Sequence, residues 1–227
     1  MKRETNSSVS RRDLLGILAT GILLLARPVR ALAETCRQLL ATDAGPFYPI
    51  EPIPYAENLV TGAMPNGTIL YLSGRLIDES CRPVAGADVE IWQCDAGGQY
   101  KHPMAPKTKP LESSFLYFAK ARSAADGAFK FRTLRPVPYT AFGIKRAPHV
   151  HIRVKAAGRP VVTTELYFRG HEDDKLRLVD RVFQGRGERR VELVVDLKPV
   201  VDKPGDGKRG AEPGALSCEY EVVVNSR

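Results

Sequence analysis

The sequence is short of the residues from which metal and redox centres are most often built. Its 227 residues hold only four histidines and four cysteines, and no Cys-x-x-Cys pair occurs. Zinc ribbons and dithiol redox centres need that spacing, so neither is supported. No His-Glu-x-x-His occurs, and no carboxylate stands beside the one closely spaced histidine pair, His149 and His151. A zinc hydrolase or a two-His-one-carboxylate Fe(II) centre therefore has little to rest on. There is one tryptophan and no internal repeat, and no apolar run reaches the roughly 20 residues that a bilayer span needs. The longest such run, Leu14 to Ala26, is also the only segment with a sustained helical period.

What is present suits a folded domain. Hydrophobic residues make up 43% and charged residues 26%, the balance of a globular chain with enough length for one core. Lys and Arg number 34 against 26 Asp and Glu, a formal charge of +8 that invites a nucleic-acid partner. The placement of that charge weakens the invitation. Residues 1–13 are polar and basic, the short apolar run follows, and Ala31-Leu32-Ala33 forms a small-x-small cleavage pattern. Together these read as an export signal over residues 1–33. Arg11-Arg12 within Ser10-Arg11-Arg12-Asp13-Leu14-Leu15 resembles a twin-arginine signal, which implies export to the periplasm or beyond. That segment carries six basic and two acidic residues, so residues 34–227 retain a charge of only +4. Nucleic-acid binding is not expected, nor is membrane insertion after cleavage.

Cys36, Cys81, Cys94 and Cys218 all lie beyond the signal, and an oxidising compartment would allow up to two disulfides with three connectivities. The body alternates in short strand-like runs: 69–77, 87–92, 128–132, 149–154, 163–168, 190–197 and 218–224. Gly/Pro turns between them argue for a single all-β domain, an antiparallel β-sandwich or barrel with long loops and little helix. A long insertion, residues 101–125, holds a short helix near Phe115 to Ala121 in this reading. Residues 201–214 read as a charged hairpin connection.

Alternation puts His149 and His151 on one face of a strand, about 7 Å apart along it, within reach of one metal ion. The plainer reading is a solvent-facing pair on an outer strand, with Val150 and Ile152 towards the core. Tyrosines lie close in sequence, and two phenolates with two imidazoles favour Fe(III) over Fe(II) by neutralising its charge.

The segment Ile91-Trp92-Gln93-Cys94-Asp95-Ala96-Gly97-Gly98-Gln99-Tyr100-Lys101-His102 resembles the signature of intradiol ring-cleavage dioxygenases. Arg122 to Gly127, Phe131-Arg132-Thr133, Pro138-Tyr139 and Arg146-Ala147-Pro148-His149-Val150-His151 resemble further blocks of that family in order. Gly45-Pro46-Phe47-Tyr48-Pro49 and Glu165-Leu166-Tyr167-Phe168 resemble an early and a late one. The likeness is to the protocatechuate 3,4-dioxygenase type and covers roughly residues 36–200.

The resemblance implies a transthyretin-like sandwich and a mononuclear non-haem Fe(III) bound by Tyr100, Tyr139, His149 and His151. It implies a catechol-type substrate cleaved with O2 to a cis,cis-muconate-type diacid. Tyr139 would leave the metal and take a substrate proton, and Arg146 would stabilise the anionic ring. It also suggests a homo-oligomer. The family usually has Gln where Glu165 stands, and a carboxylate there would pair with Arg146 and weaken its pull. Ala141 replaces a frequent aromatic residue, and Cys94 reads as the mark of a disulfide-bearing exported variant. The competing expectation is an exported binding module that kept the sandwich and lost turnover.

Overall fold

A computed structural model describes residues 35–225 apart from residue 64 and residues 202–211. The expected export signal, and most of the expected hairpin connection, lie outside the described residues.

Two sheets form the sandwich. In the first, β1 (Ile69–Asp78) is central, parallel to β11 (Leu216–Val224) and antiparallel to β4 (Ala128–Leu134), while β10 (Lys198–Pro199) flanks β11. The second runs β3 (Phe118–Arg122), β2 (Asp88–Trp92), β7 (His149–Ala156), β8 (Arg159–Arg169) and β9 (Val194–Asp196). Its pairs are antiparallel except β8 with β9. A separate hairpin joins β5 (Tyr139–Ala141) to β6 (Ile144–Arg146).

The all-β expectation holds, and the two parallel pairings follow from long returns of the chain. Leu72, Leu76 and Phe131 of one sheet share a core with Val89, Ile91, Val150 and Ile152 of the other. Such burial of apolar faces is the main favourable term in forming the sandwich.

Three local expectations need correction. Phe118–Arg122 is the strand β3, paired antiparallel with β2, and not part of a helix. Phe118, Ala119 and Ala121 are buried there, and sheet pairing overrides the helix propensity of the alanines. Residues 188–193 form a 3-10 turn, pinned by Arg189 to Glu192 and to the Gln38 carbonyl, so the expected strand at 190–197 shrinks to β9. A helix of nine residues, α1 (His171–Val179), and a single turn, α2 (Arg181–Gln184), follow β8. Their apolar stripe is too sparse to show a period.

The cysteines form one disulfide, Cys36–Cys81, which ties the segment before β1 to the turn after it. Cys94 and Cys218 are buried free thiols. Cys94 is therefore no mark of a disulfide, and burial pushes its thiol up to about 12, which keeps it protonated.

Candidate metal centre and active site

The strand alternation on β7 holds, but the face expected to meet solvent is covered. His149 and His151 are 1% and 2% exposed, while Val150 and Ile152 fill the core on the opposite face. Trp92 of β2 stacks on the His151 ring at 4.8 Å, within 3° of parallel. Gly45, at φ +67°, brings the chain before β1 against His151, where a Cβ would stand 3.4 Å from Cε1. The solvent-facing reading of the pair is thereby excluded.

Sheet register lays out the rest. Trp92, His151 and Glu165 stand opposite one another across β2, β7 and β8, and His149 stands opposite Tyr167. In the small hairpin Tyr139 faces Arg146. Tyr100 arrives from the turn after β2. There the Asp95 carboxylate accepts from the Gly97 and Gln99 amides at 2.8 and 2.9 Å. Gly98 passes at φ +79°, its Cβ position 3.3 Å from that of Tyr139. Only glycine combines this backbone with that approach. Tyr117, from the 101–125 insertion, donates to Asp95 at 2.6 Å and so braces the same turn.

These elements bring all four expected donors together. The rings of Tyr100 and Tyr139 lie 5.2 Å apart, those of His149 and His151 4.8 Å, and those of Tyr139 and His149 5.6 Å. The Tyr139 hydroxyl is 3.5 Å from His149 Nε2. His149 Nδ1 lies 2.6 Å from the Ala147 carbonyl, which can only accept, so Nδ1 carries the hydrogen and Nε2 keeps its lone pair. The Tyr100 hydroxyl is buried with no partner among the described residues. An orphaned phenol costs free energy unless something binds it, and a cation does so.

Burial sets the protonation of the group. Both imidazoles are held neutral: burial, then Arg146 and His151, drive His149 well below its usual range, and burial brings His151 down to about 4. Burial raises both tyrosines, with Arg146 opposing the rise at Tyr139. Two neutral nitrogen donors and two phenols that ionise only beside a strong cation suit a trivalent metal.

His149, His151 and Glu165 also cluster, their donor atoms within 4.8 Å of one another. Glu165 is nevertheless committed elsewhere. Its Oε1 accepts from Arg146 Nη2 at 2.9 Å, and its Oε2 accepts from the Tyr167 hydroxyl at 3.1 Å and Arg186 Nη2 at 3.2 Å. Burial alone would raise its carboxyl, but the cationic Arg146 and Arg186 beside it help to outweigh that and hold it near 2. Arg146, 7% exposed, is fixed on three sides: Nε donates to Asp180, and Nη2 to Glu165 and the Tyr167 hydroxyl. The expected pairing of Glu165 with Arg146 is present.

Three contributors were missing from the sequence reading. Tyr167 stands two residues after Glu165 on the same strand face, so period two pointed to it. Asp180 caps α2 by accepting from the Val182 and Phe183 amides, and also accepts from the Ala147 amide at 2.9 Å. An Asp before a short helix carries that signal. Arg186 had no signal of its own.

The sequence pattern of the family described as Dioxygenase matches residues 44–213. The chain belongs to this family, the intradiol dioxygenases. The protocatechuate 3,4-dioxygenase beta chain of Burkholderia cepacia is 29% identical over 211 residues, covering 88% of this chain and 83% of the relative. Catechol 1,2-dioxygenase of Candida albicans is 30% identical over 182 residues, covering 70% of this chain but only 57% of the relative. Among solved structures, hydroxyquinol 1,2-dioxygenase of Pseudomonas putida DLL-E4 superposes with a TM-score of 0.62 at 27% identity. That match covers 87% of this chain and 69% of the other. These likenesses place the intradiol dioxygenase fold over the same span that holds the tyrosines and histidines.

Proposed function

We propose that the chain is an exported non-haem Fe(III) intradiol dioxygenase acting on a catechol-type aromatic, with Tyr100, Tyr139, His149 and His151 as ligands. The observation that carries this reading is the buried Tyr100 hydroxyl, without a partner among the described residues, beside a second tyrosine and two neutral imidazoles. When bound, Fe(III) supplies Lewis acidity that draws electron density from a chelated catecholate, so that its ring becomes reactive towards O2.

The chain's own residues do the rest. Ala147 fixes the His149 tautomer, so Nε2 is the donor presented. Tyr100, 5% exposed, is the permanent phenolate. Tyr139 is half-buried, and its hydroxyl is the group placed to accept a catechol proton as substrate enters. Arg146 is held rigidly enough to face developing negative charge without reorganising. Phe47 packs tilted against Tyr100 at 4.8 Å and stacks at 6.0 Å with Phe142 at the tip of the β5–β6 hairpin, an aromatic wall that suits a flat ring. Export fits the Cys36–Cys81 disulfide, which persists in an oxidising compartment.

Iron-loaded protein should be red-brown from tyrosinate-to-Fe(III) charge transfer and should consume O2 with catechol or 3,4-dihydroxybenzoate. Tyr100→Phe and Tyr139→Phe should each alter the band. Colourless protein after iron loading would remove the iron assignment. Coloured protein inert towards both substrates would favour a binding module.

A further inference from the structure

We propose that Arg186 is a positioning residue, whose guanidinium keeps Glu165 engaged with Arg146 and away from His151. The inference rests on the assignment of His151 and Arg146 to the dioxygenase site. Glu165 stands directly across the sheet from His151, with Oε1 4.0 Å from His151 Nδ1. That nitrogen is buried and has no partner among the described residues. A metal-bound histidine ordinarily donates its second N–H to a carboxylate or carbonyl, as His149 does to Ala147. His151 is the exception, although a carboxylate lies about 1 Å beyond hydrogen-bond reach.

Two arginines hold the carboxylate back. Arg146 takes Oε1, and Arg186, reaching over from the turn after α2, takes Oε2 together with Tyr167. The charges form an alternating row. Asp43 lies 3.6 Å from Arg186, Arg186 3.2 Å from Glu165, Glu165 2.9 Å from Arg146, and Arg146 3.2 Å from Asp180. Asp43 is 94% exposed, so solvent screens it, and Arg186 Nε is buried without a partner among the described residues. Glu165 is therefore the firm anchor of Arg186, and its negative charge is shared between two guanidiniums.

Without Arg186 the whole of that charge falls on Arg146 and His151. Arg146 then presents less positive charge to an anionic ring. The freed Oε2 edge allows the carboxylate to turn and accept from His151 Nδ1, making that imidazole a stronger electron donor. Arg186 thus separates two roles that one buried carboxylate would otherwise combine.

Arg186→Met should lower kcat with catechol by about tenfold to a hundredfold, the usual cost of losing an outer-shell partner. KM should change much less, and the visible band should shift. In the metal-free protein, nitrogen-15 resonances of His151 should report a new hydrogen bond at Nδ1. That measurement needs no iron, so failure of the iron assignment and failure of this inference remain distinguishable. Adding Glu165→Gln to Arg186→Met should recover most of the lost kcat and return the band, a rescue that a purely structural arginine would not show. Should Arg186→Met fail to fold, Arg186→Gln replaces it in every comparison. Unmoved His151 resonances, or loss of kcat that Glu165→Gln does not rescue, would overturn the proposal.

Discussion

The side chains that hold Arg146 decide how much a single substitution can cost. Asp180 is fully buried and accepts four times: from Arg146 Nε, from the Ala147 amide, and from the Val182 and Phe183 amides of α2. Asparagine keeps one oxygen for the cap but has no charge for the guanidinium. Asp180→Asn should therefore lower stability by about 2 kcal/mol, the scale of a hydrogen bond to a charged group. It should also reduce kcat by tenfold or more, because Arg146 loses its orientation as well as its counter-charge. Denaturant unfolding and steady-state kinetics with catechol check the two parts separately. Full activity in a destabilised protein would show that Asp180 serves the helix alone. At this scale much of the candidate site was legible in the sequence. Tyr100, Tyr139, His149, His151, Arg146 and Glu165 all come together as expected, because motif residues sit on short, register-fixed elements. Arg186 did not show in the sequence, and Asp180 carried the signal of a helix cap but not of its contact with Arg146, since both roles depend on where a helical turn lands against the sheet.

Among the elements, legibility followed burial on one face. The β1, β2, β4, β7, β8 and β11 runs alternate or carry dense apolar residues, and each forms a strand. β3 was hidden by its alanines, and β5 and β6 by being three residues long. The parallel pairing of β1 with β11 was also invisible, because register between distant segments is set by packing. That pairing puts Gly74 opposite both Tyr220 and Phe129. A Cβ there would stand 2.3 Å from the Tyr220 carbonyl oxygen and 2.4 Å from the Phe129 ring. The oxygen belongs to backbone and cannot step aside without breaking the ladder. Gly74→Ala should destabilise the domain by about 3 kcal/mol, the upper range for overpacking. The proposed ligands His149 and His151 lie on the other sheet, so the visible band of folded, iron-loaded protein should stay in place. A stability change under about 0.5 kcal/mol, the range of ordinary surface substitutions, would show that β1 and β11 have room to separate.

For the molecule as a whole, the site lies on a covered sheet face, and that burial has a consequence for acid stability. His149 and His151 are held neutral inside, His151 with its titration lowered to about 4, whereas an unfolded chain protonates histidine near pH 6.5. Between those limits the unfolded state binds protons that the folded state refuses. Stability must then fall as pH drops from about 6.5 to 4. For His151 alone the loss is on the order of 3 kcal/mol, and His149 adds to it in the same direction. Glu165 continues the trend at lower pH. Its carboxyl is held near 2 against an ordinary value of 4.5, so the stability it contributes is present above 4.5 and disappears towards 2. Both effects act in one direction, so the decline continues from one pH range into the next. Urea unfolding of the metal-free protein at pH 7, 5.5 and 4.5 should show a progressive fall in unfolding free energy, and His151→Gln should flatten the profile. Bound metal should resist the fall at first, because it binds the neutral imidazoles of the folded state, and then fail abruptly once protons displace it. A metal-free profile that stays level from pH 7 to 4.5 would mean that the imidazoles take up protons in the folded chain, and that the face holding them opens to water.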